Sequence, residues 1–132
     1  MATDDFLDAE EQTVVMVMTS GPSTPHRCAT PFYLGAVLAA MDCEVHIFFT
    51  MEGVKLMQKG IAEPLTAMEG GKRVIDFIRD AKRAGVQLHV CRPALPGYEI
   101  DPDTDLIEEV DSVARASDLA DLMLRADKVV SF

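Results

Sequence analysis

The chain has 132 residues, of which 48% are apolar, and this length and composition predict one globular domain with a single core. Its 22 acidic and 12 basic residues give a formal net charge of −10. A surface of that charge repels phosphate groups. It therefore argues against nucleic acid and anionic membranes as partners.

Residues 1–12 are acidic and polar, and we interpret them as a mobile leader before one domain over residues 13–132. The leader lacks the apolar segment of a secretory signal peptide. The longest uncharged apolar stretch, residues 31–41, is well short of the ~20 residues that cross a bilayer. We therefore expect a cytoplasmic protein, whose three cysteines stay reduced.

The hydrophobic pattern predicts strands that alternate with helices. Continuous apolar or β-branched runs indicate strands at residues 13–18, 44–50, 86–90 and 128–132, the last buried in the sheet. Helices are expected at residues 31–42, 54–59, 74–84 and 116–125, with a further one that begins at Asp103 or Thr104 and includes Glu108. This alternation predicts an α/β fold, a three-layer α/β sandwich with a mainly parallel sheet and flavodoxin-like topology.

The helix at residues 31–42 is apolar around its whole circumference, whereas a surface helix shows one polar face. One side can pack on the sheet, and the other must meet something else. A loop or neighbouring helix could cover it, but a subunit interface is the favoured interpretation.

Acidic residues are concentrated between Asp101 and Asp121, where eight carboxylates accompany a single base, Arg115. Such a run is usually a solvated face, and a docking surface for a basic partner is the alternative.

Cys91 lies where the third strand should stop, because Pro93 cannot donate to a sheet ladder. Ligands and chemistry sit at the carboxyl ends of parallel strands, so this thiol is the candidate nucleophile. Arg92 and nearby helix N-termini would stabilise its thiolate. His89, two residues earlier on the same sheet face, is a candidate base. The plainer alternatives are an inert buried cysteine and a histidine that only satisfies its own hydrogen bonds.

Cys28 follows the first strand and also emerges at the carboxyl edge, so it is a candidate second thiol. Cys43 begins the second strand at the opposite edge and is expected to be structural. No CxxC spacing is present, which argues against a disulfide scaffold or zinc site. The loop at residues 19–30 could hold a small anion at a helix N-terminus, but a plain turn is favoured because it has no nucleotide-binding motif.

The sequence resembles the DsrE/DsrF-like family of small sulfur-relay proteins over residues 13–132. The resemblance rests on the first strand with TSGP at residues 19–22, the proline-led helix from Pro31, the segment EVHIFFTMEGV at residues 44–54, and the strand that ends in Cys91. It implies a DsrE-like α/β fold in homo-oligomers, commonly trimers or hexamers, and a cysteine that carries sulfur as a persulfide, which maps onto Cys91. It also implies TusA-type sulfur carriers and rhodanese-like sulfurtransferases as partners.

The leading hypothesis is a sulfur-relay protein that needs no metal and no organic cofactor, since sulfur would move by thiol–persulfide exchange. A non-catalytic oligomeric subunit, or a module of the same fold that binds a small anion or a nucleotide, is the main alternative. A flavin protein is a third, which the missing phosphate loop argues against.

Overall fold

The computed structural model describes residues 12–132, so most of the predicted leader, residues 1–11, lies outside the described part. The strands are β1 (Thr13–Met18), β2 (Glu44–Phe49), β3 (Gln87–Cys91), β4 (Ser112–Ala114) and β5 (Lys128–Ser131). The helices are α1 (Thr30–Ala40), α2 (Val74–Ala84) and α3 (Ala116–Arg125). The five strands form one sheet in the order β4-β3-β2-β1-β5, and every neighbouring pair is parallel. The predicted three-layer α/β fold is confirmed.

The two faces of the sheet are covered unequally. α1 and α2 pack together on one face, over a large core that includes Met16, Phe32 and Ile47. α3 lies on the other face, where a much smaller buried cluster holds Phe48 and Leu122. Since both faces of β1 and β2 are covered, these strands are mostly apolar rather than alternating, although β2 also carries Glu44 and His46.

The helix predicted after Asp103 is wrong, and a turn followed by the short strand β4 takes its place. Acidic side chains in this segment bond to nearby backbone: Asp101 accepts from the Asp103 N–H at 2.9 Å. The Ile107 N–H donates to the Met57 carbonyl at 2.8 Å, so its hydrogen-bond partner lies in a distant part of the sequence. Backbone groups with such partners cannot also close a helix.

Acidic residues of this run also form hydrogen bonds within the protein. Asp111 accepts from Lys82 at 2.5 Å and from the Leu88 N–H at 2.7 Å. Burial raises the pKa of Asp111, but the Lys82 and Leu88 hydrogen bonds outweigh it and the net shift is downward. Part of this charge ties the segment before β4 to α2 and β3 instead of standing free in solvent.

Two smaller expectations also need correction. β5 forms a sheet edge beside β1, and all four of its residues are exposed, so the last strand is not buried. The short helix expected at residues 54–59 is a 3-10 segment at Met51–Met57. Within residues 12–132, no helix has the length and apolar character needed to cross a bilayer.

Candidate functional site

Cys91 is the last residue of β3 and pairs in register with Ala114 of β4. Cys91 is buried, with 9% of its surface exposed. α3 begins at Ala116, two residues beyond that register partner, so the positive end of a helix dipole lies at the same edge of the sheet. Arg92 follows as an exposed residue of a short 3-10 turn. Cys91, Arg92 and the start of α3 thus lie at the carboxyl edge of the sheet.

His89 lies on the same sheet face as Cys91, but both of its ring nitrogens are engaged elsewhere. Its Nε2 is 2.9 Å from Nδ1 of His46, and its Nδ1 is 2.6 Å from Oγ of Ser112. Burial, followed by the neighbouring His46, lowers the pKa of His89 to about 4. A base for Cys91 needs a ring nitrogen within hydrogen-bond reach of its thiol, and these partners occupy both.

These contacts belong to a chain of four side chains across three strands. His46, which is buried, places its Nε2 2.7 Å from a carboxylate oxygen of Glu44. A carboxylate only accepts, so His46 Nε2 donates to Glu44. When both rings are neutral, His46 Nδ1 accepts from His89 Nε2. His89 Nδ1 then accepts from the Ser112 hydroxyl. Every hydrogen bond in the chain points from Ser112 towards Glu44.

This hydrogen-bond chain lies beside a cavity of about 290 Å³ next to α3. The cavity lining includes His46, His89, Ser112 and Arg125. Glu44, His46 and Ser112 are not recognisable as members of a site from the sequence alone. Alternation places His46 and Glu44 on one face of β2, but the pairing of His89 with Ser112 depends on the β3–β4 register. The sequence does not predict that register, because it does not predict β4 itself.

The low pKa of His89 predicts that acid weakens the fold. Between about pH 6.5 and pH 4 the unfolded chain binds a proton that folded His89 excludes, so the free energy of unfolding falls as the pH drops. His89→Gln removes this contribution. Urea unfolding at pH 7 and pH 4.5 should show a loss about 1 kcal/mol smaller in the variant, a figure that allows for solvent screening.

The matched control for that measurement is His26→Gln, which replaces an exposed histidine. It should lose as much stability as the unchanged protein between the two pH values. Equal losses in all three proteins would contradict the assignment of acid sensitivity to His89.

Cys28 is fully buried in the core on the α1–α2 side of the sheet. Its Sγ lies 3.2 Å from the Gly21 carbonyl oxygen, to which the thiol donates. Burial, reinforced by the negative charge of Glu52, raises the pKa of Cys28 to about 11. Cys91 pairs with Ala114 of the α3-side cluster, so the two thiols lie on opposite faces. These features favour a structural role for Cys28.

The loop between β1 and α1 has donors that resemble an anion site, but a side chain of the protein occupies them. The carboxylate of Glu52 accepts from the Ser23 N–H at 2.7 Å and from the Ser23 hydroxyl at 2.5 Å. The Ser23 hydroxyl bond, the largest influence, lowers the pKa of Glu52 and keeps it ionised. An external anion would have to displace this carboxylate, which weighs against the anion-binding alternative.

No cluster of three or more histidine, cysteine or acidic side chains within residues 12–132 is arranged to hold a metal ion. The ring nitrogens of His46 and His89 are engaged in hydrogen bonds with each other and with Glu44 and Ser112, so their lone pairs do not converge on a metal position.

Comparison with known proteins gives a family and a fold. The sequence profile of the DsrE/DsrF-like family matches residues 12–132. The crystal structure of the YchN protein from E. coli is similar, with a TM-score of 0.77 at 21% identity over 92% of this chain and 99% of that one. The protein of unknown function MTH1491 from Methanobacterium thermoautotrophicum gives a TM-score of 0.58 at 14% identity over 91% and 98%. No curated protein matches significantly.

Proposed function

Because the chain belongs to the DsrE/DsrF-like family, whose membership suggests a role in sulfur relay, we propose that it carries sulfane sulfur as a persulfide on Cys91. The observation that supports this most is the position of Cys91 at the carboxyl end of β3, beside Arg92 and the N-terminus of α3. Positive charge there stabilises a thiolate and the persulfide anion that replaces it.

The proposed step is a thiol–persulfide exchange. The Cys91 thiolate attacks a terminal sulfur of a donor polysulfide or persulfide, so that a new S–S bond forms on Cys91 as the donor S–S bond breaks. The donor leaves as a thiolate one sulfur atom shorter, and no external oxidant is consumed. Delivery is the same reaction in reverse, with an acceptor thiolate that attacks the outer sulfur.

In this proposal Arg92 stabilises the anionic sulfur, and His89 shapes the sheet face below it without taking the thiol proton. The hydrogen bonds of His89 to His46 and Ser112 are the reason for that assignment. Cys28 stays a core residue for the reasons given above.

The test is sulfur loading measured by intact-protein mass spectrometry after incubation with polysulfide. The unchanged protein should gain about 32 Da per added sulfur atom, the mass of one sulfur in an exchange of this kind. Cys91→Ser should lose at least about nine-tenths of the loading, whereas Cys43→Ser should keep it. Full loading of Cys91→Ser would overturn the proposal and favour the non-catalytic subunit. Full loading of Cys28→Ser would remove Cys28 as a second sulfur acceptor.

We also propose that the chain assembles with copies of itself, as a trimer or hexamer, and exchanges sulfur with TusA-type carriers and rhodanese-like sulfurtransferases. The support for self-assembly is the outer face of α1, where the large apolar side chains Tyr33, Val37 and Met41 are exposed. A groove of about 340 Å³ with an almost wholly apolar lining runs between this face and Phe77 of α2. Exposed apolar surface of this kind is typical of protein contacts.

Val37→Glu tests that assembly, because it places a charge in the middle of the apolar face. The variant should fold normally but sediment as a smaller species, with the assembly weakened by at least about tenfold. Ser117→Glu on the exposed start of α3 adds the same charge elsewhere and should leave the assembly intact. Unchanged sedimentation of Val37→Glu at micromolar concentration would rule this face out as the interface.

A further inference from the structure

The hydrogen-bond chain Ser112–His89–His46–Glu44 runs along the wall of the cavity beside α3 and ends at Glu44 in solvent. Glu44 is more than half exposed, and His46 is almost completely covered. Ser112 lies half-buried in the cavity lining. A hydrogen-bond chain with an ionised carboxylate at its solvent end can draw a proton away from the hydroxyl at its inner end.

We propose that Ser112 is a nucleophile, activated by His89, in a second reactive site that takes small neutral esters or acyl groups. The three contacts of 2.6, 2.9 and 2.7 Å can all run in the same direction when both rings are neutral, and the Ser112 hydroxyl then donates to His89. The Oγ lone pairs are then directed away from the ring. This arrangement is the geometric requirement for a serine–histidine nucleophile.

Buried imidazoles need partners, but that need alone does not account for the arrangement. Two stacked histidines, with ring centroids 5.2 Å apart and planes at 21°, could each bond to backbone or water. They instead bond in sequence to a hydroxyl at one end and to a carboxylate at the other. His46 and Glu44 are positioning residues in this proposal, since neither reaches the reacting atom.

The lining of the cavity indicates the kind of substrate. The cavity is an open depression of about 290 Å³ with room for a small acyl group, and Phe48 and Leu122 give it an apolar side. Asp118 and Asp121 on the α3 side repel anionic substrates, which leaves neutral esters. Arg125 lines the same cavity and can polarise a carbonyl oxygen, although it also pairs with Asp121 at 3.0 Å.

The chemistry is an acyl transfer. Ser112 Oγ bonds to the acyl carbon as its proton moves to His89 Nδ1, and the ester C–O bond breaks. The leaving alkoxide takes the proton from His89, and water then hydrolyses the acyl-serine and regenerates both groups. A fluorophosphonate follows the first half only: an Oγ–P bond forms, the P–F bond breaks and fluoride leaves.

The test is covalent labelling by a small fluorophosphonate, followed by mass spectrometry of the peptide that carries the adduct. Every protein carries Cys91→Ser, so that the candidate thiol cannot contribute. We expect one adduct on Ser112, none in Ser112→Ala, and labelling about 100-fold slower in His89→Gln, as expected for the loss of a general base. Ser117→Ala, which changes an exposed serine of α3, is the control and should label normally.

The pH dependence separates the positioning role from a structural one. Labelling should decline below about pH 4, where His89 is protonated among His46 of β2, Asp111 before β4 and Lys82 of α2. The nearby charges on α3 are Asp118, Asp121 and Arg125. In Glu44→Gln the midpoint should move to lower pH, because a negative charge no longer stabilises the protonated ring.

No adduct on Ser112 in the Cys91→Ser protein, or equal labelling when His89→Gln is added, would overturn the proposal. The four-residue chain would then serve only to satisfy two buried imidazoles. Since Cys91 is absent from all these proteins, the result is independent of the sulfur-loading test.

Discussion

Gly53→Ala should lower the free energy of unfolding by about 3 kcal/mol, the upper end of what overpacking costs. A Cβ at Gly53 would overlap the carbonyl oxygen of Met18, at the end of β1. That oxygen also accepts from the Thr50 N–H at 3.0 Å, so it cannot retreat without breaking this bond. The clash involves backbone on both sides, and no side-chain rotation relieves it.

Urea unfolding followed by circular dichroism measures this effect, with Gly97→Ala as the matched control. A Cβ at Gly97 would meet no atom within 4 Å, and its φ is not positive. The control should therefore change the free energy of unfolding by less than about 0.5 kcal/mol. Similar stability of the two variants would contradict this prediction, because it would show that the backbone at Gly53 can move away from the Met18 carbonyl at little cost.

The layered fold follows from features that the sequence displays locally. Both faces of β1 and β2 are covered, which favours mostly apolar side chains, and those runs are visible without any structure. Gly85, with a φ of 104°, ends α2 in the left-handed conformation that glycine adopts without strain. The predicted bounds of β1 and α2 agree with the observed ones, and the predicted end of β2 differs by one residue.

The errors arise where backbone groups take distant partners. The segment around Ile107 was expected to be helical from its capping residues, but its N–H bonds to Met57, fifty positions away. The exposure of β5 depends on which strand lies beside β1, and sequence alone does not give strand order. Long-range pairings of this kind override local propensity.

The candidate site shows the same division. The position of Cys91 at a strand end could be predicted from Pro93 and the apolar run before it. The engagement of His89 could not, since its partners lie on two other strands. The sequence therefore identified a thiol at the correct edge, whereas the hydrogen-bond chain beneath it became visible only with the register of three strands.

Strand order also bears on where a ligand would sit. In an open parallel sheet, the crevice forms where successive strands lie on opposite sides of the first, which here is between β1 and β5. The Thr19 N–H and hydroxyl both donate to the Phe132 carbonyl at 2.8 Å and hold that opening together. Cys91 lies two strands away, so the proposed sulfur chemistry uses the strand edge and not the crevice.

Phe32→Ala should destabilise the fold by about 4 kcal/mol, in the range for a buried phenylalanine. Phe32 is completely buried and its ring stacks on Phe49 of β2 with centroids 5.8 Å apart. This contact joins α1 to the sheet, so its loss leaves a cavity that rigid neighbours on both sides cannot fill. The melting temperature should fall by roughly 10 °C or more.

Tyr33→Ala is the neighbouring control, because Tyr33 follows Phe32 in the same helix but is 63% exposed. It removes a ring of similar size and should cost less than about 1 kcal/mol when unfolding is measured at low protein concentration. Because the helix is apolar around its whole circumference, its sequence does not indicate which of the two aromatic rings faces the core. If the two variants were equally destabilised, α1 would have to be covered on both sides within one chain, and the apolar face proposed for self-assembly would not exist.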